Sequence, residues 1–246
     1  MYTYRLTLAY DGSRYNGWQK QGNTKNTIQE KLETLLTRLI GEEIEVAGSG
    51  RTDAGVHAMG QVVSFHTSAP QDCTALLADI RRYLPDDIGA MELCEAAPRF
   101  HARLNAVGKT YVYQVWNSDA PNIFRRKYMY TVTEALDLAA METAAADLIG
   151  THDFMSFCAN KRMKKSTVRT IESIQIERLG NELRFTVTGD GFLYNMVRIL
   201  VGTLLEVGTG KRDKHSMAAL LEARDRSQAG YLVPPHGLRL EAVYYD

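Results

Sequence analysis

Residues 48–61, GSGRTDAGVHAMGQ, place one carboxylate and one guanidinium two positions apart in a loop that carries four glycines. The pair is Asp53 and Arg51, and the glycines permit positive φ and a close approach of a bulky partner to the backbone. One interpretation is a turn that Asp53 caps. A phosphate cradle is disfavoured, because the loop lacks the GK[ST] of a P-loop. The third interpretation is a catalytic carboxylate, which has to be ionised to act as a nucleophile.

Arg198 lies in a second stretch with unusual chemistry, FLYNMVRILVGTLLEV at residues 192–207, which is otherwise almost wholly apolar. An unpaired buried charge costs several kcal/mol, so a buried arginine needs an anion. The candidate partners are Glu206, Asp190 and Asp53. We favour Asp53, because a neighbouring guanidinium would keep its carboxylate ionised at neutral pH. On a helix, three residues share the side of the arginine: Tyr194, Asn195 and Gly202.

Tyr111, in the alternating stretch GKTYVY, is a candidate for contact with a base. An aromatic in a strand is ordinarily part of the core, and the same applies to Tyr113. A tyrosine on a sheet face can also stack on an extruded base, which is worth about 1–3 kcal/mol per base.

The formal net charge is zero, but basic residues cluster in two runs. Residues 99–130 and 154–171 each carry a local charge of +5 and include several aromatic side chains. This pattern favours nucleic acid as a partner. The predicted RNA-binding residues are Lys161, Arg162, Lys164, Lys165, Arg125 and Arg126.

The elements that position these residues follow the order β-α-β-β-α-β twice. In the first pass, a capping box at Thr27–Glu30 opens a helix that Gly41 ends, and Thr74 caps a second helix to Leu84. Strands are expected at 2–8, 44–47, 61–66 and 88–96. The second pass predicts an alanine-rich helix from Thr133 to Gly150, strands at 109–117, 168–178, 183–188 and 238–245, and helices at 192–207 and 214–224.

This order predicts an α+β fold of two ferredoxin-like halves, residues 1–105 and 106–246, with abutting antiparallel sheets and helices on one face. The loop with Asp53 would join the two middle strands of the first half and project into a central cleft. No apolar run approaches about 18 residues, so no membrane span is expected. The N-terminus lacks a secretion signal layout, and three separated cysteines indicate reduced thiols, so we expect a cytoplasmic protein.

Five stretches resemble, in order along the chain, the signature blocks of the tRNA pseudouridine synthase A family: GRTDAGVHAMGQVVSF, KTYVYQVW, THDFMSF, GDGFLYNMVRILVGTLLEVG and PPHGLRLEAVYYD. The resemblance implies that Asp53 is the catalytic aspartate and that Arg51 contacts the RNA and helps to hold the target base out of the stack. It implies that Tyr111 packs on the target uracil and that Arg198 pairs with the catalytic carboxylate. It further implies tRNA as partner, uridines 38–40 of the anticodon stem-loop as targets, a homodimer, and no metal or organic cofactor.

Pseudouridine formation suits a lone acid, because the base leaves C1′ through N1 and rejoins it through C5 with no atom gained or lost. The carboxylate could attack C1′, add to C6 of the ring or remove a 2′ proton, and the sequence leaves all three routes open. Glycoside hydrolysis usually needs two carboxylates. Two other functions remain as alternatives, a non-catalytic RNA-binding or chaperone module and a phosphate-ester enzyme.

Overall fold

The computed structural model describes residues 1–160 and 163–246, and two of the predicted RNA-binding residues, Lys161 and Arg162, lie outside them. The chain has a mixed α+β fold and divides into two compact units. Residues 1–107 and 239–246 form the first unit, and residues 108–238 form the second. Among the described residues, no helix is long and apolar enough to cross a membrane.

The sheet of the first unit is built around β1 (Tyr2–Tyr10), because the even-numbered side chains of this strand, from Tyr4 to Tyr10, are buried on one face. β1 lies between β3 (His57–Thr67) and β4 (Ile88–Ala96) and is antiparallel to both. The short β2 (Ala47–Gly48) pairs antiparallel with β3. The last strand, β10 (Leu238–Tyr245), runs parallel to the start of β3.

Two helices belong to this unit, α1 (Ile28–Ile40) and α2 (Cys73–Tyr83). The predicted N-cap of α1 is confirmed, since Thr27 Oγ1 accepts the N–H of Glu30 at 3.3 Å. The predicted cap of α2 was wrong, because Asp72, two residues before Thr74, accepts the N–H groups of the first turn.

The elements of the second unit are β5 (Ala106–Asn117), β6 (Tyr130–Val132), α3 (Leu138–Ala146), β7 (Gly150–Asp153), β8 (Val168–Leu179), β9 (Glu182–Gly189), α4 (Met196–Gly208) and α5 (Met217–Ala223). The strand order β5-β9-β8-β7 gives an antiparallel sheet. The helices α3 and α4 pack against each other. The predicted hairpin at Gly180 is confirmed, since β8 and β9 flank that residue, whereas β7 was not predicted.

All three predicted helices of this unit begin later than expected, and α5 begins at Met217 rather than at 214. α3 is capped by Asp137 and not by Thr133, because the Asp137 carboxylate accepts the N–H of Ala140 at 3.0 Å. α4 begins at Met196, four residues after the predicted start, because Asn195 adopts a left-handed conformation with φ 61°.

The predicted division at 105/106 stays a prediction about domains. Residues 239 and 240 of β10 pair with β3 of the first unit, whereas the predicted division places that strand in the second half. The last strand therefore belongs to the sheet that carries the loop with Asp53.

Candidate active site

The loop with Asp53 leads from β2 to β3 and is held by Thr52, whose side chain is only 6% exposed. The Thr52 carbonyl accepts the N–H of Trp18 at 3.0 Å, and its hydroxyl lies 2.8 Å from the Tyr10 hydroxyl. Arg51 is exposed and Asp53 is half-buried. Of these three residues only Thr52 is buried, so Thr52 anchors the loop while Arg51 is open to solvent.

A backbone turn follows Asp53, whereas the cap by its carboxylate stays a prediction. The Asp53 carbonyl accepts the N–H of Val56 at 3.1 Å, and Gly55 has φ 79°, as the third residue of a type II turn requires. It is thus the backbone of Asp53 that closes this turn.

His57 fixes the downstream end of the loop and is buried at the start of β3. Its Nδ1 accepts the N–H of Gly12 at 3.1 Å and lies 3.2 Å from the Asp11 carboxylate. The end of β1 therefore contacts the loop on both sides of Asp53, through Tyr10 before it and through Asp11 and Gly12 after it. Sequence reasoning gave His57 no specific role, and its position three residues from the predicted turn was the available signal.

Tyr111 and Tyr113 lie on β5, two residues apart and so on the same face. Tyr113 is fully buried and donates its hydroxyl proton to the Pro234 carbonyl at 2.8 Å, which confirms it as a core residue. Burial raises the pKa of Tyr113 above its ordinary value. Tyr111 is 8% exposed, and its ring meets Phe192 edge-on at 5.2 Å between centroids. Phe192 therefore fixes the orientation of the Tyr111 ring.

Arg198 is 9% exposed in α4, as expected for this apolar helix. Its Nε donates to the Val233 carbonyl at 2.9 Å, and its Nη1 donates to the Asn195 side-chain oxygen at 2.8 Å. The candidate partner Glu206 accepts hydrogen bonds from Arg212 and from the Tyr231 N–H. Two neutral oxygens, one from the residue before the helix and one from residue 233, thus orient the guanidinium.

The segment 233–237, VPPHG, was missed as part of this site. Besides accepting from Arg198 through Val233, it contacts Tyr113 through Pro234, and its His236 bonds the Met129 carbonyl at 3.1 Å. Burial lowers the pKa of His236, and the charge of Arg198 adds to that effect. The two prolines next to a His-Gly pair were the available signal, since prolines restrict the backbone.

The predicted RNA-binding residues that the structure describes are exposed, and Arg125 forms an ion pair. Arg125 donates to the buried Glu182 carboxylate at 2.8 Å. Burial alone would raise the pKa of Glu182, but hydrogen bonds from Gln114 and Arg125 lower it overall. The other three exposed residues are Arg126, Lys164 and Lys165.

Arg51 and Asp53 lie in one loop of the first unit, and Tyr111 and Arg198 belong to the second unit. The pairing of Arg198 with Asp53 stays a prediction. Within the described ranges, no group of three or more His, Cys, Asp or Glu side chains is placed to hold a metal ion.

Comparisons with known proteins define the class. A family model described as tRNA pseudouridine synthase matches residues 7–103 and 144–246. A protein of Bacillus sp. (strain KSM-64) named tRNA pseudouridine synthase A is 45% identical over 245 residues, which cover 100% of both chains. Its namesake from Acetivibrio thermocellus is 44% identical over 98% of both chains. That from Halalkalibacterium halodurans is 47% identical over 95% of this chain and 89% of its own. This chain belongs to the tRNA pseudouridine synthase A family.

Proposed function

We propose that this protein converts the uridines at positions 38–40 of tRNA, in the anticodon stem-loop, to pseudouridine, with Asp53 as its catalytic carboxylate. As a member of its family it is an isomerase that acts on tRNA uridines. A non-catalytic RNA-binding module is not favoured, because the full-length relatives are named as synthases. The observation that carries the role of Asp53 is its half-buried position in a loop whose backbone is bonded on both sides of it.

The reaction breaks the N1–C1′ bond and forms a C5–C1′ bond, while the ring loses a proton at C5 and gains one at N1. The target base has to leave its helix first, at a cost of a few kcal/mol. A carboxylate on an exposed, glycine-containing loop can approach an extruded nucleotide, which a residue in the sheet interior cannot do. Attack at C1′, addition at C6 and removal of a 2′ proton are all compatible with one ionised carboxylate.

The other predicted residues take separate roles. Arg51 is exposed beside Asp53 and would contact the phosphates of the flipped nucleotide and help to hold the base out of the stack. Tyr111 would pack on the uracil, supported by its edge-on contact with Phe192. Arg198 would keep the catalytic carboxylate ionised, and its two bonds to neutral oxygens orient the guanidinium for that task.

Two finer expectations belong to the same proposal. The strand order β4-β1-β3 with β2 on β3, and the order β5-β9-β8, support two ferredoxin-like halves. The homodimer rests on the family resemblance.

The test of the catalytic role is a substitution of Asp53. Asp53→Asn and Asp53→Ala should abolish pseudouridine formation and leave tRNA affinity within about twofold, because Asn keeps the shape of the side chain without its reactive charge and Ala removes the carboxyl group. Asp79→Asn, which neutralises an exposed carboxylate of α2, is the matched control. Turnover by the Ala variant at a rate near that of the control would reject the role.

The RNA interface is the second part of the proposal. The exposed Arg126, Lys164 and Lys165, together with Arg125, would neutralise tRNA phosphates. Phe124, next to Arg125 in the chain, is 94% exposed directly before a turn closed by an N–H···O bond from Tyr128 to Arg125, and it offers a ring on which a base can stack.

The salt dependence of tRNA binding tests this interface. The double variant Lys164→Gln/Lys165→Gln should bind tRNA more weakly, and its plot of log affinity against log salt should be shallower by about 0.7–0.9 per lost phosphate contact. Lys25→Gln/Lys31→Gln removes two exposed lysines from the start of the α1 region and should leave the slope unchanged. Equal slopes for the two double variants would place Lys164 and Lys165 outside the interface.

A further inference from the structure

A buried chain of side-chain hydrogen bonds lies beneath the loop that carries Asp53. The Tyr10 hydroxyl lies 2.8 Å from Thr52 Oγ1, and the Gln61 side-chain nitrogen donates to the Tyr10 hydroxyl over 3.5 Å. Tyr10 ends β1 and Gln61 lies within β3, so the chain links two strands of one sheet to the residue directly before Asp53.

The Gln61 amide also holds the two residues at the start of the loop. Its nitrogen donates to the Gly50 carbonyl at 2.9 Å, and its oxygen accepts the Ser49 hydroxyl proton at 2.6 Å. Gln61 is fully buried, and these bonds use both its donor and its acceptor capacity. An amide in this position can therefore not be exchanged for an apolar group or an ionised carboxylate without breaking a loop contact.

The Tyr10 hydroxyl can act as the donor in its bond with Thr52. Because Tyr10 Oη accepts from Gln61, its own proton is available for Thr52 Oγ1. Burial raises the pKa of Tyr10 above its ordinary value, so the hydroxyl keeps this proton at working pH. Three loop residues, Ser49, Gly50 and Thr52, are thus bonded to the sheet through Gln61 and Tyr10, and Arg51 lies between two of them.

We infer that Tyr10 and Gln61 are positioning residues for the isomerisation, which fix the loop so that Asp53 meets the target nucleotide in one orientation. This inference rests on the proposed function, since it takes Asp53 as the catalytic carboxylate. Both side chains are buried and are bonded to the loop at Thr52, Gly50 and Ser49, so we expect them to act through the loop and not by contact with RNA. Misplacement of a reacting group by about 1 Å can cost on the order of 100-fold in rate, so loosening this chain should appear in the chemical step.

The first test compares Tyr10→Phe with Tyr4→Phe. Tyr4 lies on the same face of β1, is equally buried, and uses its hydroxyl to accept the Gln71 N–H at 2.7 Å, at the end of the strand away from the loop. Both changes delete one buried hydroxyl and keep the ring. The measurements are the single-turnover rate of pseudouridine formation, the tRNA dissociation constant and the midpoint of thermal unfolding.

We expect Tyr10→Phe to lower the single-turnover rate by about 10-fold or more with tRNA affinity within twofold, whereas Tyr4→Phe keeps the wild-type rate. Similar shifts of the unfolding midpoint in the two variants would exclude lost stability as the cause. Equal rates for the two variants, or a Tyr10→Phe defect confined to tRNA affinity, would overturn the positioning role.

The second test uses the pH dependence of Gln61→Glu. A protonated Glu can donate to the Gly50 carbonyl as the amide does, but an ionised one cannot, and its burial raises the pKa of the new carboxyl. The rate of this variant relative to wild type should therefore be highest at low pH and fall as pH rises, whereas Gln61→Met should be slow throughout. A ratio that is flat with pH, or a Gln61→Met variant with the wild-type rate, would overturn the inference.

The two proposals fail in different ways. A wild-type protein that forms no pseudouridine in tRNA, or an active Asp53→Ala variant, rejects the proposed function. A wild type that depends on Asp53, with Tyr10→Phe as fast as Tyr4→Phe, rejects the positioning role alone.

Discussion

Gly17 contacts the backbone of the loop with Asp53 and allows that contact to be perturbed by one methyl group. It adopts φ +86°, and a Cβ at this position would lie 2.7 Å from the Thr52 carbonyl oxygen and 3.1 Å from the Asp53 carbonyl carbon. These are main-chain atoms, so no rotation of a side chain can relieve the overlap. Gly17→Ala should therefore displace the loop.

The size of the displacement follows from the distances. An ordinary contact between such atoms is about 3.4 Å, so the 2.7 Å approach requires a shift of about 0.7 Å. The Thr52 carbonyl also accepts the Trp18 N–H at 3.0 Å, one residue from Gly17, so the strain falls on the bond that holds the loop. Since a 1 Å error can cost about 100-fold, we expect a rate loss of about 10- to 100-fold.

Gly41→Ala is the control, because Gly41 has φ +83° and a Cβ there would meet no atom within 4 Å. Both substitutions carry the strain of a left-handed alanine, about 1–2 kcal/mol, but only Gly17→Ala touches the loop. The assay is single-turnover pseudouridine formation, with tRNA affinity and urea unfolding measured in parallel. A Gly17→Ala rate equal to that of Gly41→Ala would refute the claim that the loop position limits the chemistry.

Three further substitutions test stability. Because burial lowers the pKa of His236, the unfolded chain binds the imidazole proton more readily than the folded chain does, so stability should fall as pH drops from 7 to 5. His236→Gln should flatten this pH dependence of the urea midpoint. Parallel curves for the variant and the wild type would contradict the prediction. Glu182→Gln removes a buried carboxylate that accepts from Arg125 and should cost about 1–3 kcal/mol in urea unfolding, whereas an unchanged midpoint would show that the pair contributes nothing. Thr27→Ala should cost about 1 kcal/mol through the lost helix cap, and an equal loss in the exposed Thr34→Ala of the same helix would rule out capping as the cause.

Local patterns predicted the elements where a single signal was present. The residues 88–96 and 238–245 were predicted as strands with the bounds that β4 and β10 have, because alternation and flanking turn residues agree there. The caps of α2 and α3 were wrong because each stretch offers two suitable residues. Tertiary contacts decide between them, as in α3, where the Asp137 N–H donates to the Gly208 carbonyl of another helix.

The charged residues of the loop stand out in the sequence, but the residues that hold the loop in place do not. Arg51 and Asp53 stand out by type and spacing, whereas Tyr10 and Gln61 look like ordinary strand residues. Their contacts to the loop join positions 42 and 11 residues apart, at Thr52 and Gly50, and depend on the register between β1 and β3. A periodicity argument assigns residues to a face of a sheet but does not tell which hydroxyl or amide lies beneath a particular loop.

Arg198 has hydrogen-bond acceptors that the sequence does not reveal. A guanidinium in an apolar helix needs acceptors, and sequence reasoning looked for a carboxylate. The left-handed Asn195 delays the start of α4 and places its amide oxygen 2.8 Å from Nη1, while Val233, 35 residues further on, supplies a carbonyl. Neutral oxygens satisfy hydrogen-bond donors and fix the plane of the guanidinium, but they do not cancel its charge. The electrostatic reason to expect an anion near Arg198 therefore remains. The two bonds fix the orientation of the guanidinium, and this orientation limits the directions from which an anion can reach it.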